Sequence, residues 1–510
     1  MKLNFENLKI VKRIKNLLKR LATPGESLSE KAVKGGFWVF FLRITDRLFK
    51  LIRTIILARL LSPNDFGVFG IALLVLSTLD TFSQAGFQQA LIQKKGETKH
   101  FLNTAWTVGL IRGFLIATVV FFLAKPAAVF FEAPAAENIL RIIGISIILQ
   151  SLNNIAVLYF QKELQFNKFF KYQFLGTIAD VTVAITLAFL LKSVWALVFG
   201  LLAGNLVRCI MSYIIEPYKP RLQFDRAQAK ELFGFGKWIL GSSILIFLLT
   251  QGDDIFVGKL LGATMLGFYQ MAYRISNLPA TEITHVISQV SFPAYSKLQD
   301  NLPKLKEAYL RVLQSTTFIS FPVAGLIFIL APEFTQIFLG NKWMSMVPAM
   351  QVLCLFGATR SVNATFGALY QAVGLPKILT KVSLIQLCFL VIIIYPFTVR
   401  GGLVGASIAV TIANLLCLII ASREAFRILK IYSKILLHTL KSSILVTIGI
   451  VASIYLVKFI ISDKIPLYYT FILSILIGVG IYSFYAKVAG FSFKRLLNEG
   501  KPFKTNFDQR

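Results

Sequence analysis

Acidic residues are scarce in this chain: 24 Asp and Glu stand against 54 Lys and Arg, for a formal net charge of +30. Cysteine is scarcer still. Cys209, Cys354, Cys388 and Cys417 show no paired spacing, which removes any support for a disulfide framework or a thiolate metal site and leaves them as packing residues. His100, His285 and His438 lie far apart. No Walker lysine motif, HExxH or GxSxG occurs, so the usual signatures of nucleotide hydrolysis, zinc proteolysis and serine hydrolysis are missing and no cofactor is expected. His285 and Glu282 are close enough on one segment for a packing hydrogen bond or a proton relay.

What the chain has is apolar surface. With 56% hydrophobic and 13% aromatic residues and a mean hydropathy of +0.70, it cannot leave that surface in water. Runs of the roughly 20 residues needed to cross a ~30 Å hydrocarbon core recur from Phe37 to Ala486. They are continuous and rich in Leu, Ile and Phe, not the alternating segments of a barrel, so the spans are helices and the fold is all-α. About fourteen are expected, near residues 32–60, 65–92, 100–125, 136–160, 168–191, 194–216, 236–261, 264–290, 308–331, 344–371, 376–399, 401–426, 435–461 and 466–489.

The cations alternate from loop to loop. Lys94, Lys95 and Lys99, then Lys162, Lys168 and Lys171, then Lys219, Arg221, Arg226 and Lys230 follow even-numbered spans, and so do the clusters near Lys304, Lys377, Arg427 and Lys501. The loops between carry single cations such as Lys125, Lys192 and Arg400. The positive-inside rule then puts both termini in the cytoplasm of a multi-pass inner-membrane protein, and the charge belongs to loops, not to nucleic-acid binding. Residues 1–31 contain Lys12, Arg13, Lys15, Lys19 and Arg20 and no apolar core, so they are not a cleavable signal peptide. Leu8, Val11, Ile14, Leu18 and Leu21 recur at helical spacing, as in a basic amphipathic helix lying on membrane lipids.

A weak repeat runs through the chain. Gly36 and Trp38 return as Gly236 and Trp238, Arg59-Leu60-Leu61 as Lys259-Leu260-Leu261, and SLNNIAVLYFQ (151–161) as SVNATFGALYQ (361–371). The expected organisation is a cytoplasmic basic segment 1–31, an N-lobe 32–216, a cytoplasmic linker 217–235, a C-lobe 236–427, two further spans in 428–490 and a cytoplasmic tail 491–510. Two pseudo-symmetric six-helix lobes of the same orientation are the parallel repeats of secondary transporters, and a large cavity between them is the expectation.

The first span carries Arg43, Asp46, Arg47, Lys50 and Arg53 within an arc of about 120° on one helix face. Four cations facing lipid would cost on the order of 12 kcal/mol at ~3 kcal/mol each, so that face must line water, protein or an anion. A guanidinium fork suits phosphate. Together with Arg112, Arg208 and Arg274 these cations form a candidate anion-binding set, against the alternative of buried ion pairs. Asp46, Asp80, Asp253 and Asp254 are candidates for coupling transport to a proton or sodium gradient, or for structural pairing.

ARLLSPNDFG (58–67), GDDIFVGKLLGATMLGFY (252–269) and SFPAYSKLQD (291–300) together resemble the polysaccharide transporters of the multidrug/oligosaccharidyl-lipid/polysaccharide exporter superfamily, nearest to the Wzx type and its colanic-acid-exporter-like branch. The resemblance runs from about Lys34 to Ala489. It implies a flippase that moves an undecaprenyl-pyrophosphate-linked oligosaccharide repeat unit to the periplasmic leaflet by alternating access, for surface polysaccharide such as lipopolysaccharide or exopolysaccharide. Polymerase and chain-length machinery would be its partners. A lipid II flippase shares the pyrophosphate; a multidrug extruder would handle organic cations, which an arginine-lined cavity repels. A membrane polysaccharide polymerase or ligase would need a long outer loop, and every expected outer loop is short.

Overall fold

The computed structural model describes residues 28–83, 99–431, 433–461 and 465–488. Every regular element among them is helical. Most of the basic segment 1–31, the lysines at 94 and 95, the side chains of Glu282 and His285 and the tail 491–510 lie outside the described residues.

In chain order the helices are α1 (Leu28–Leu60), α2 (Pro63–Phe82), α3 (Leu102–Phe130), α4 (Ala135–Ser151), α5 (Leu158–Lys162), α6 (Phe166–Leu191), α7 (Trp195–Ile215), α8 (Arg226–Ser276), α9 (Thr284–Leu298), α10 (Leu302–Phe334), α11 (Val347–Ala372), α12 (Pro376–Leu429), α13 (Ser433–Ile461) and α14 (Leu467–Val488). All fourteen expected spans coincide with one of these helices, with part of one, or with a broken pair; the far end of the second, beyond Ser83, is outside the described residues. Nine helical stretches among the described residues are long and apolar enough to cross a membrane by themselves, or ten when Ala135–Ser151 and Ile155–Lys162, bent by 69°, count as one. The long helix α12 holds two passes, because Gly402 has φ 54° and ψ −135° in its middle. Gly262, at φ 82° and ψ 176°, breaks α8 in the same way. A side chain at either position would strain a backbone that only glycine adopts readily, so each of these apparent single helices is two helical segments joined by a glycine turn, as the expected span boundaries require.

Contacts divide the chain into two compact units between Phe247 and Leu248. The linker expected over 217–235 is extended only as far as Asp225, which caps the start of α8 by accepting from the Ala227 and Gln228 amides at 2.8 and 3.1 Å. Its extended part is strapped to the first turns of α3: Tyr218 donates to Asn103 at 2.6 Å, and the Gln223 amide donates to Thr107 at 3.0 Å. Thr104 of α3 donates to Gln228 at 2.7 Å, and α8 as far as Phe247 falls in the first compact unit.

The repeat has a backbone counterpart. Left-handed residues stand at Leu164 and Lys192 in the first unit and at Gly374 and Gly402 in the second, each pair 210 residues apart. They close the helices that begin at Phe166 and Pro376, again 210 residues apart. Where the matched sequences lie, however, the local structures differ: Ser151–Gln161 is a bend held by Asn154, whose side chain accepts from the Ala156 amide, while Ser361–Gln371 is continuous helix within α11.

Packing in the first unit follows small residues. A Cβ at Gly204 of α7 would lie 3.0 Å from the Gly176 carbonyl of α6 and 2.9 Å from Asp180 Cβ, so α6 and α7 touch backbone to backbone. In the second unit, Gly357 of α11 lies equally close to Ser276, where a Cβ would meet the carbonyl at 2.5 Å. Buried aromatics fill what lies between: Tyr295 of α9, Tyr309 of α10 and Phe366 and Tyr370 of α11 form one cluster.

Candidate functional site

The motif ARLLSPNDFG is a helix cap. Ser62 is the N-cap of α2, Pro63 takes the first helical position, and Asp65 completes the capping box: the Asp65 amide donates to Ser62 Oγ at 3.2 Å, and the Ser62 amide donates to Asp65 at 2.8 Å. The other oxygen of Asp65 accepts from the Val194 amide at 3.2 Å, joining the start of α2 to the start of α7.

The charged face of α1 packs on α6. Lys50 pairs with Asp46 one turn earlier at 2.8 Å, and Asp46 also accepts from Thr177 of α6 at 2.9 Å. Arg53 reaches Asp180 of α6 at 3.0 Å, each side chain only 15% exposed. Arg208 of α7 lays its stem over Gly176, where a Cβ would collide with it at 2.4 Å, and donates to Asn205 at 2.9 Å. Arg43 is half-buried and Arg47 exposed. Next to the charges, Trp38, Phe41 and Phe49 of α1 meet Phe170 and Phe174 of α6 in tilted and edge-on pairs, with centroids 5.2 to 5.6 Å apart across the seam. Two acids, Asp46 and Asp180, thus sit among five cations.

Arg112 is not part of this seam. It caps the end of α2, donating to the carbonyls of Ser83 and Asp80 at 2.9 and 2.7 Å and pairing with the Asp80 carboxylate at 2.5 Å. A cation is favoured there because the last carbonyls of a helix carry its negative pole. The expected anion ligand Arg112 and coupling acid Asp80 are therefore partners of each other, at a helix end.

The remaining candidates fall in the second unit. Asp253 and Asp254 are buried inside the continuous first half of α8. Tyr269 donates to Asp253 at 2.6 Å and Gln270 to Asp254 at 2.9 Å, both across the turn at Gly262. Arg360 of α11 donates to Tyr273 at 2.8 Å. The other oxygen of Asp253 is buried with no hydrogen-bond partner. Arg274 lies on the same helix half as Tyr269. The motif GDDIFVGKLLGATMLGFY is thus one hydrogen-bonded hairpin, its acids at one end and Tyr269 at the other.

One cavity in the first unit was not anticipated from sequence. It has a volume of about 470 Å³ and lies among α3, the bend between α4 and α5, and the start of α6. Trp106, Gln150, Ser151, Asn153, Gln161 and Gln173 supply polar lining, and Asp80 and Arg112 close one side. The signal in the sequence was the amide-rich segment 150–161, read there only as half of a repeat.

A multi-pass helical fold with charges held between its helices is that of an integral membrane protein. The fold is that of a solved lipid II flippase, MurJ, in its inward closed conformation: the likeness has a TM-score of 0.70 at 17% identity and covers 91% of this chain and 99% of that one. The chain belongs to the polysaccharide biosynthesis protein family, which it matches over residues 56–348. Among its relatives, the lipopolysaccharide biosynthesis protein WzxC of Escherichia coli (strain K12) is 26% identical over 396 residues, covering 77% of this chain and 80% of that protein. The succinoglycan biosynthesis transport protein ExoT of Rhizobium meliloti (strain 1021) is 26% identical over 378 residues, covering 74% and 76%.

Proposed function

We propose that this protein is a flippase that carries a polyprenyl-pyrophosphate-linked oligosaccharide from the cytoplasmic to the outer leaflet of a bacterial cytoplasmic membrane, for assembly of a surface polysaccharide. The family match over residues 56–348 carries this reading. Support comes from the α1 seam, where cations outnumber acids. Arg53 is held by Asp180, and Arg47 and Lys50 are the more exposed of the set and the ones that offer charge to a pyrophosphate. The alternating loop charges support cytoplasmic termini. A polymerase and chain-length proteins would receive the product.

A proton or sodium gradient is the proposed drive, acting at Asp253. Its unpartnered oxygen is a site where a proton or a small cation would relieve a buried, unsatisfied acceptor. Binding there in one conformation and release in the other would bias a two-state cycle without a nucleotide. The test is transport of a fluorescent polyprenyl-pyrophosphate glycan in proteoliposomes under imposed pH and sodium gradients. Wild type should accelerate with one of the gradients, and Asp253→Asn should lose that response. Gradient-independent transport by wild type would remove the coupling proposal; no transport at all would remove the flippase reading.

A further inference from the structure

We infer that the cavity in the first unit is a binding subsite for the neutral, hydroxyl-rich part of the cargo, a saccharide and not its phosphate. The inference rests on the flippase reading and adds to it where, and by what chemistry, the glycan is held.

The cavity volume of about 470 Å³ lies inside the range of roughly 300–1,000 Å³ found for small-molecule sites. Its lining supplies the groups that hydroxyls need. Trp106 Nε1 is a buried donor without a protein partner, and Asn153 Oδ1 is a buried acceptor without one. A sugar hydroxyl donates and accepts at once, so it can partner either kind of group. Gln150, Gln161 and Gln173 add amides that can do either, and the indole offers an apolar face to the C–H side of a pyranose.

Charge argues against an anion here. Among the described residues the charged groups on the lining are Arg112 and Asp80, which are paired at 2.5 Å, and Arg112 is further committed to the carbonyls that end α2. Their charges cancel. The cationic seam lies elsewhere, on α1 and α6, so the pyrophosphate and the glycan are recognised by different parts of the same unit. With the termini in the cytoplasm, the cavity lies at the cytoplasmic end, where α3 and α6 begin and α4 ends. That is the side on which a lipid-linked glycan is made available.

Gly109 gives the test its lever. It lines the cavity, and a Cβ built on it meets nothing within 4 Å. Gly109→Leu therefore starts from an unobstructed Cβ and adds bulk at the cavity wall, and leucine is a better helix former than glycine. Gly449→Leu on α13, where a Cβ also meets nothing, is the control. In proteoliposomes containing the lipid-linked repeat unit extracted from the source strain, Gly109→Leu should transport roughly tenfold more slowly at low substrate, the loss expected for two or so hydrogen bonds. Gly449→Leu should match wild type, and both should insert normally.

The second readout needs no transport. In an Asn153→Cys variant, the water-soluble glycan released from that lipid by mild acid should protect the thiol from a small maleimide, and inorganic pyrophosphate should not. Wild-type rates in Gly109→Leu would mean a cavity that holds water only and would overturn the inference. Protection by pyrophosphate, or none by the glycan, would overturn it too. If wild type itself moves no lipid-linked glycan, the flippase reading fails, while glycan protection at position 153 still reports on the site.

Discussion

Arg53 can serve as a structural partner of Asp180 or as a free cation for substrate, and the two roles separate in a double-mutant cycle. The pair spans α1 and α6 at 3.0 Å with both side chains 15% exposed. Around Asp180 the backbone leaves no slack, since a Cβ at Gly200 would meet its carboxylate at 2.9 Å and one at Gly204 its Cβ at 2.9 Å. Removing one partner of such a pair strands the other, at a cost of about 3 kcal/mol. That corresponds to a loss of on the order of a hundredfold in the ratio of folded to unfolded protein. Removing both strands neither, so Arg53→Gln with Asp180→Asn should recover about 2 kcal/mol relative to the sum of the singles. Thermal unfolding followed by the retained monodisperse fraction in detergent gives the stability arm, and restoration of surface polysaccharide in a flippase-null strain gives the export arm. Both singles should lose protein and export together, and the double should regain both. Strict additivity in stability would refute the pairing. So would an Arg53→Gln variant that stays stable yet exports nothing and is not rescued by Asp180→Asn; Arg53 would then act on substrate.

Ser62→Ala removes the cap of α2 and should cost about 1 kcal/mol of stability, while Asp65→Ala should cost more because it also frees the Val194 amide; thermal unfolding compares the two. Gly204→Val should lower stability by roughly 1–3 kcal/mol, because the new side chain meets the Gly176 carbonyl at the first carbon, and a wild-type unfolding temperature would show that α6 and α7 can separate. With cytoplasmic termini, a membrane-impermeant thiol reagent should label Glu132→Cys and Lys342→Cys from outside intact cells and spare Arg226→Cys. The tag belongs at Lys342 and not at Trp343, which is fully buried.

Hydropathy carried the architecture because each span must bury its own backbone hydrogen bonds, so length and composition suffice to mark it. The glycine turn at 262 falls between two expected spans, and the one at 402 lies two residues past an expected boundary. The side-chain pairings were less legible. The charges of α1 were weighed against the acid on the same helix, Asp46, and the partner of Arg53 turned out to be Asp180, 127 residues away on α6. Nothing in local periodicity states which helices touch. Arg112 stands with the substrate cations in sequence because its position in a span looks costly; the carbonyls that end α2 and the Asp80 carboxylate meet that cost. The cavity escaped for a related reason. Its polar groups come from α3, the α4–α5 bend and α6, none of which is unusual alone.

The duplication itself sharpens the functional argument. Trp38 and Trp238, and Arg59-Leu60-Leu61 and Lys259-Leu260-Leu261, fix the register of the first and seventh spans at 200 residues, which sets Arg53 against Asp253. Between Trp38 and Arg59 the first span carries Arg43, Arg47, Lys50 and Arg53 with the single acid Asp46. Between Trp238 and Lys259 the seventh carries Asp253 and Asp254 and no cation. In that register the two segments carry opposite net charge, and at one position, Arg53 against Asp253, the charges directly oppose. Burial makes either sign expensive, so neither is retained for stability alone: an apolar seventh span would insert more easily, and an apolar first span would need no Asp180. A carrier of an anionic lipid that runs on a cation gradient would have a use for both. The first unit holds the cationic seam and the amide-lined cavity, and the second holds the hairpin of Asp253, Asp254 and Tyr269.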